Sequence, residues 1–197
     1  MIWRALYLTL CSLALAGIVH IAIILLIPDV GTRDAYGVLS GKIEPLDFKV
    51  LEPKDAADLL SDMDPFFSYG VCRFDLSQAG LAMTGPNTAS FWSATVVNQD
   101  GSVVYSLNNR TSIESRLDLI LLSPLQILRL RQVQPPDIEN AIIVESDMQA
   151  GFVLLRFLRP DETWDKTAES FFDGIRCRAY EPMASSAEQP VASNEAQ

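Results

Sequence analysis

The chain has 197 residues, 49% of them hydrophobic, and a formal net charge of -10 at pH 7. A domain that binds nucleic acid needs a basic face, so this acidic balance argues against nucleic acid as a partner and against tight contact with an anionic lipid surface. With an anchor and a tail set aside, about 145 residues remain, enough for one domain with its own core.

The run from Ala5 to Ile27 is unbroken apolar sequence without an acidic residue, Lys, Arg or Pro. As a helix it would be about 34 Å long, and a bilayer hydrocarbon core is about 30 Å thick. We therefore predict a transmembrane helix over residues 5–27, with residues 1–4 as a short N-terminus before it.

The charges on either side of this span predict its orientation. The amine of Met1 and the side chain of Arg4 precede it, whereas Asp29, Arg33 and Asp34 follow it. Positive charge favours the cytoplasmic side. We expect a single-pass protein of the inner (cytoplasmic) membrane, with a cytoplasmic N-terminus and an exoplasmic domain, which is periplasmic in a Gram-negative bacterium.

A cleaved signal peptide is the alternative interpretation of the apolar run. Ala14-Leu15-Ala16 followed by Gly17 matches the small-residue pattern that signal peptidase recognises. Cleavage there would leave an apolar new N-terminus up to Ile27, so a retained anchor explains the whole run better.

Small and polar side chains recur along one face of the predicted span. Thr9, Ser12, Ala16 and His20 are three or four residues apart, so they share a helix face. Such faces allow close helix packing in lipid. The stripe therefore predicts a helix partner in the membrane, either a second copy of this chain or another membrane protein.

Cys72 and Cys177 are the two cysteines outside the span, because Cys11 lies within it. In an oxidising compartment a disulfide is the first expectation for such a pair. Two buried thiols are the alternative, since the sequence does not place the two Cα atoms within bonding reach. Neither cysteine has the spacing of a zinc or redox site, so we predict no metal and no cofactor.

We divide the rest of the chain into a juxtamembrane linker (28–46), an exoplasmic domain (47–180) and a disordered tail (181–197). Residues 28–46 contain three glycines and read as a linker or the first turn of a short helix. Residues 52–63 have helical spacing and several aspartates, which predicts a short acidic surface helix. The tail is polar, small and free of aromatic residues.

A strand pattern begins at Phe66 and predicts strands at 69–76, 81–84, 91–98 and 102–108. Asp100-Gly101 between the last two is a hairpin signal. Alternation places one set of side chains of this hairpin in the core and the other on a polar face. The predicted core set is Trp92, Ala94, Val96, Val103, Tyr105 and Leu107, and the polar set is Ser93, Thr95, Ser102, Ser106 and Asn108.

Further strands are predicted at 117–122, 141–145 and 152–158. Between the first two, Ser123 caps a helix that starts at Pro124 and stops at Pro135-Pro136, with Leu125, Leu128 and Val133 on its apolar side. The last ordered element is a helix with Trp164, Ala168, Phe171, Phe172 and Ile175 on one face and Cys177 at its exit. The prediction is an α+β fold, in which a transmembrane helix precedes a mostly antiparallel sheet or sandwich with two or three packed helices.

His20 is the only histidine of the chain, so the predicted exoplasmic domain has no imidazole for a nucleophile system or a metal site. We name no catalytic residue. One polar cluster stands out at the end of the hairpin, and as a sheet-rim site it would receive an anionic or carbonyl-bearing ligand. An ordinary turn is the alternative interpretation. The ligand-binding candidates are Trp92, Ser93, Tyr105, Asn108, Asn109 and Arg110.

Several segments occur in a recognisable order along the chain: GIVHIAIILLIP (17–28), VCRFDLS (71–77), FWS (91–93), VYSLNNRT (104–111) and the aromatic helix that ends at Cys177. In this order they resemble small bacterial membrane proteins of the domain of unknown function 1254 family. The resemblance implies a proteobacterial envelope protein, related to larger proteins that carry this domain beside a second one. It implies no activity, and Asn109 stands where the family commonly has aspartate.

Three functional hypotheses follow. The first is a non-catalytic envelope protein whose anchor and domain serve an interaction in the membrane. The second is a periplasmic domain that binds a small molecule or a lipid near Trp92, Tyr105 and Arg110. The third is a hydrolase that works without histidine.

Overall fold

The computed structural model describes residues 2–31, 33–51, 63–133, 138 and 140–181. Helix α1 (Ile2–Gly31) is followed by α2 (Arg33–Lys42). Every side chain from residue 2 to residue 26 is exposed. Within the described residues this is one helix long and apolar enough to cross a membrane, and a signal sequence would meet the same criteria. The predicted apolar helix is confirmed, and it begins and ends a few residues outside the predicted span.

Nine strands of the described chain form two sheets. The first has five strands in the order β1-β2-β8-β4-β5, and the second has four in the order β7-β6-β3-β9. All neighbours pair antiparallel except β6 and β7. The strands are β1 (Phe48–Leu51), β2 (Phe67–Asp75), β3 (Gly80–Thr84), β4 (Trp92–Asn98), β5 (Val103–Asn108), β6 (Asp118–Leu122), β7 (Ile142–Glu145), β8 (Ala150–Leu158) and β9 (Arg176–Tyr180).

The main core lies between the two sheets and helix α4 (Asp165–Asp173). The sheets contribute buried side chains such as Phe74, Leu121 and Phe157, and α4 contributes Phe171 and Phe172. Ring pairs hold the helix in place, because Phe157 and Phe171 have centroids 4.8 Å apart. The predicted α+β class is therefore confirmed, as a two-sheet sandwich with packed helices.

Two further helices cover the outer faces of the sandwich. Leu39 and Ile43, on and just after α2, pack against the outer face of the five-stranded sheet. Helix α3 (Pro124–Val133) packs Ile127 and Leu130 against the four-stranded sheet. The predicted cap of α3 is confirmed, since the amide of Ser123 donates to Gln126 Oε1 at 2.8 Å and the amide of Gln126 to Ser123 Oγ at 3.4 Å.

The predicted apolar side of α3 was wrong. Leu125 and Leu128 are 60% and 56% exposed, whereas Ile127 and Leu130 are 6% and 4% exposed. The side chain of Val133 lies outside the described residues, as do Pro135 and Pro136. Docking on the outer side of β6 decides which face is buried, and leucine spacing within the helix does not contain that information.

The end of the domain also differs from the prediction. Helix α4 ends at Asp173, and residues 176–180 form β9 beside β3, so Cys177 lies in a strand and not at a helix exit. Arg176 still serves the helix end, because its Nη1 donates to the carbonyl oxygen of Asp173 at 2.6 Å. The predicted acidic helix at 52–63, except Met63, and the predicted tail beyond Glu181 lie outside the described residues.

A disulfide joins Cys72 in β2 to Cys177 in β9, which confirms the predicted pair. The two Cα atoms are 6.5 Å apart and 105 residues apart in sequence. Since β2 and β9 belong to different sheets, the bond links the two layers of the sandwich. Cys11 in α1 is a free, exposed cysteine.

Arg73 in β2 fastens α2 to the domain. Its Nη1 donates to the carbonyl oxygens of Ser40 at 2.9 Å and Ile43 at 2.8 Å, and its Cζ lies 5.7 Å from the centroid of the Tyr36 ring. A cation at the C-terminal end of a helix also opposes the negative end of the helix dipole. The short helix after the apolar span is thereby held on the five-stranded sheet.

Replacing Arg73 by alanine is expected to loosen α2, because hydrogen bonds to a charged donor contribute about 1.5–3 kcal/mol. Hydrogen–deuterium exchange of residues 33–42 should rise by about tenfold or more while the strands stay protected. Arg178→Ala, an exposed arginine on β9, is the matched control. Equal exchange in the two variants would mean that Arg73 does not hold the helix.

Candidate functional site

The predicted polar cluster at the end of β5 is a closed turn. Asn108 Oδ1 accepts the backbone amides of Arg110 at 2.9 Å and Thr111 at 3.2 Å, and the carbonyl oxygen of Asn108 accepts the amides of Thr111 and Ser112, each at 3.1 Å. Thr111 Oγ1 also accepts the amide of Asn108 at 3.0 Å. Most of the polar groups of residues 108–112 are therefore used within the turn.

Two of the predicted ligand-binding residues belong to the core. Trp92 is 0% exposed, stacks on Phe171 at 6.4 Å and donates from Nε1 to the carbonyl oxygen of Ser115 at 3.3 Å. Tyr105 is partly buried against the same core. Trp92 therefore offers a ligand no accessible surface.

The remaining members of the cluster differ in exposure. Arg110 is exposed at the turn, and Asn109 is partly buried with its Oδ1 buried and without a hydrogen-bond partner. Asn109 is held by its backbone, since its amide donates to the carbonyl oxygen of Trp92 at 3.2 Å. The turn thus exposes Arg110 to solvent and buries the side-chain oxygen of Asn109.

Asn108→Ala is expected to destabilise the domain by about 1–2 kcal/mol, because two backbone amides of the turn lose their acceptor. Arg110→Ala should change stability by less than about 0.5 kcal/mol, since its side chain is exposed. Urea denaturation of both variants measures the difference. A larger loss for Arg110→Ala would show that this guanidinium has a structural role.

Ser93 and Asn108 lie on the outer face of the five-stranded sheet beside an arginine that the sequence reading did not select. In β4, Ser93 lies opposite Asn108 of β5 on one side and opposite Arg156 of β8 on the other. Arg156 in turn lies opposite Tyr69 of β2. We call Tyr69, Arg156, Ser93 and Asn108 the Arg156 row. Ser93 is 5% exposed, so the predicted solvent face of β4 is in part covered.

The Arg156 row joins a cation to an aromatic surface. Arg156 Nε donates to Ser93 Oγ at 3.2 Å, and its Cζ lies 5.8 Å from the centroid of the Phe67 ring. Phe67 in turn contacts Phe91, at 6.3 Å between centroids. The sequence signal for the Arg156 row was an arginine within the apolar run of residues 152–158. The pairing of β4 with β8 that brings Ser93 beside this arginine is a long-range contact, which the sequence alone does not show.

A cleft of about 340 Å³ lies between α4 and the loop from β3 to β4. Its floor includes Phe171, and polar groups surround it. The lining residues are Pro86, Asn87, Thr88, Lys166, Thr167, Ser170 and Phe171. The cleft contains no residue of the predicted cluster, so the sequence reading did not identify it.

The perturbed carboxyl groups of the domain belong to turns. The Ser77 hydroxyl lowers the pKa of Asp75, the Ser102 hydroxyl that of Asp100, and the Thr163 hydroxyl that of Asp161, each aided by a backbone amide of the same partner. A carboxyl group whose pKa is lowered on folding stabilises the fold at pH values above its pKa in the unfolded chain. This contribution is lost as the pH falls through its pKa in the folded protein. These shifts reflect structural turns and do not indicate an acid–base pair.

Among the described residues, no group of three or more His, Cys, Asp or Glu side chains could hold a metal ion. On α1 the predicted packing face is exposed, and its hydroxyl groups bond to their own helix. Thr9 Oγ1 donates to the carbonyl oxygens of Ala5 and Leu6, and Ser12 Oγ donates to that of Thr9. The hydroxyl groups of Thr9 and Ser12 are therefore satisfied within their own helix.

No protein-family model matches the sequence, and no curated protein sequence matches it. The solved VPA0106 protein of Vibrio parahaemolyticus is similar in structure, with a TM-score of 0.55 and 11% identity over 81% of this chain. The chain spans only 40% of that protein's length. An uncharacterised protein of Burkholderia cenocepacia has a TM-score of 0.47 and 11% identity, covering 68% of this chain and 35% of that one. At this identity the Vibrio likeness shows a shared fold alone.

Proposed function

We propose that this protein is a single-pass membrane protein of the cell envelope, with a cytoplasmic N-terminus and its sandwich domain in the periplasm. The observation that carries the proposal is α1, whose side chains from Ile2 to Leu26 are all exposed although most are large and apolar. Such a surface is stable in lipid and not in water.

The disulfide supports the exoplasmic side, because disulfides persist in oxidising compartments. Arg4 before the span supports the same orientation. The order of sequence segments supports membership in the domain of unknown function 1254 family, which we include in the proposal. The net charge of -10 is consistent with a domain that does not bind tightly to an anionic lipid surface.

We further propose that the protein acts without catalysis, through an interaction in the membrane. The small and polar face of α1 is the proposed contact surface, since Thr9 and Ser12 are satisfied within the helix and Ala16 allows a second helix to approach closely. The partner is either a second copy of the chain or another membrane protein.

A topology reporter tests the first part of the proposal. Alkaline phosphatase joined after Gln197 should be active in a Gram-negative host, and green fluorescent protein at the same position should stay dark. Bright fluorescence with an inactive phosphatase would place the domain in the cytoplasm and overturn the proposed orientation.

Two alanines on opposite faces of α1 test the second part. Ala16 lies on the proposed contact face, and Ala14 is about 200° away around the helix. After chemical crosslinking in membranes and purification in mild detergent, Ala16→Leu should lose most of the dimer or the captured partner, and Ala14→Leu should retain it. The same yield from both variants, or a monomer that captures nothing reproducible, would contradict the interaction.

Ligand binding by the domain is the second candidate function. One observation favours it: partly buried Arg156 has no ion pair with any described residue. The original candidate region shifts accordingly, from Trp92 and Tyr105 toward the Arg156 row.

A further inference from the structure

We infer that the Arg156 row binds the carboxylate of an organic acid that also has an apolar part. This inference rests on the second candidate function and not on the membrane partner, so it fails or succeeds separately from the topology and from α1.

Arg156 has no ion pair with any residue that the structure describes. It sits on a central strand, partly buried, between Leu154 and Leu158 on its own face of β8. The ion pairs of the described chain join Arg116 to Asp118 and Arg159 to Asp165, and neither involves Arg156. Arginine side chains that are withdrawn from water usually have a partner. An anion bound at Arg156 would therefore form a charge-assisted hydrogen bond.

Asp64 contacts Tyr69 of the Arg156 row, and its carboxylate is engaged by a nearby backbone amide. Asp64 Oδ1 accepts the amide of Phe66 at 2.9 Å, and the Asp64 amide donates to the hydroxyl oxygen of Tyr69 at 3.1 Å. Asp64 is exposed, and the ion pairs among the described residues do not include it. The guanidinium of Arg156 therefore has no ion-pair partner among the described carboxylates.

Three neighbouring residues of the Arg156 row have donor groups. Arg156 uses Nε for Ser93 Oγ, which leaves the Nη groups available. The Ser93 hydroxyl accepts that bond and can still donate its own proton. Asn108 uses Oδ1 for the turn, and its side-chain amide nitrogen remains as a donor. Arg156, Ser93 and Asn108 thus each offer a donor group, which suits a carboxylate.

An apolar surface adjoins these donors. The Phe67 ring lies under the guanidinium, and Phe91 packs against Phe67. A ligand whose carboxylate bonds to Arg156 would extend its other end over these rings. The acidic balance of the protein repels a dianion more strongly than a monoanion, which favours a carboxylate over a phosphate.

The test uses full-length protein in phosphatidylcholine nanodiscs, with 3-(4-fluorophenyl)propionate as the probe and fluorine NMR as the readout. Saturable binding is expected for the wild type, and no saturable binding for the neutral amide of the probe. Arg156→Gln should weaken binding by about tenfold or more, because a charge-assisted hydrogen bond is lost. Arg178→Gln, on the other sheet, should bind as the wild type does.

Ser93→Ala keeps the packing volume and removes one donor, so it should weaken binding severalfold even if Arg156→Gln proves unstable. Equal binding of acid and amide, equal loss in the Arg156 and Arg178 variants, or no saturable binding by the wild type would each overturn the inference. Displacement of the probe by inorganic phosphate at equal concentration would overturn the assignment to a carboxylate.

Discussion

Replacing Cys177 by serine is expected to lower the free energy of unfolding of the domain by about 4–5 kcal/mol. The disulfide closes a loop of 105 residues, and the chain-entropy account gives about 4.7 kcal/mol for a loop of about this length. In a domain of this size the melting temperature should fall by about 10–15 °C. The bond links β2 of one sheet to β9 of the other.

Differential scanning calorimetry of full-length protein in detergent measures this effect. Cys11→Ser is the matched control, because Cys11 is a free thiol in α1 and its loss should leave the melting temperature unchanged. Reduction of the wild type should reproduce the melting temperature of Cys177→Ser. If the reduced and oxidised proteins melt together, the disulfide contributes little and the two sheets are held by packing alone.

Trp92→Ala is expected to destabilise the domain by about 3–5 kcal/mol, as for other large core aromatics. The indole is 0% exposed, stacks on Phe171 and donates to the carbonyl oxygen of Ser115. Removal therefore leaves a cavity beside α4 and a backbone oxygen without its donor. This result would separate a core role from the predicted ligand-binding role of Trp92.

Trp3→Ala provides the matched control, since Trp3 is 84% exposed at the start of α1 and should not affect unfolding of the domain. Chemical denaturation followed by far-ultraviolet circular dichroism measures both variants. A Trp92→Ala protein with wild-type stability that has lost carboxylate binding would instead support the ligand-binding role.

Most of the fold follows from local patterns in the sequence. Residues 92–98 and 103–108 form two paired strands, and the turn between them contains Gly101 with a φ of 85°. Such signals depend on neighbours along the chain, and the hairpin prediction was therefore confirmed. The apolar run of α1 and the aromatic face of α4 are local in the same sense.

The wrong predictions concern contacts between distant residues. Strand β9 has two arginines in five residues, and it becomes a strand by pairing with β3, nearly 100 residues earlier. The hairpin face shifts because a β-bulge between Val96 and Val97 leaves Val103 63% exposed. Neither effect can be read from a single segment.

The sequence predicted only part of the candidate site, because the rest depends on contacts between distant residues. Ser93 and Asn108 were selected from the hairpin, and they do lie side by side on the outer face. Arg156 was missed because β8 enters between β2 and β4 from far along the chain. Trp92 was selected for its chemistry, and its position on the inward face of the same strand places it in the core.

The central claim, a retained anchor with an exoplasmic and disulfide-bonded domain, is tested most directly by counting thiols. Cells are quenched with acid, and the denatured protein is treated with maleimide-polyethylene glycol before and after reduction. The account predicts one modification before reduction, at Cys11, and three after it. Zero before and two after would show cleavage of the N-terminal segment, and three in both cases would show a reduced domain in the cytoplasm, so either result would contradict the account.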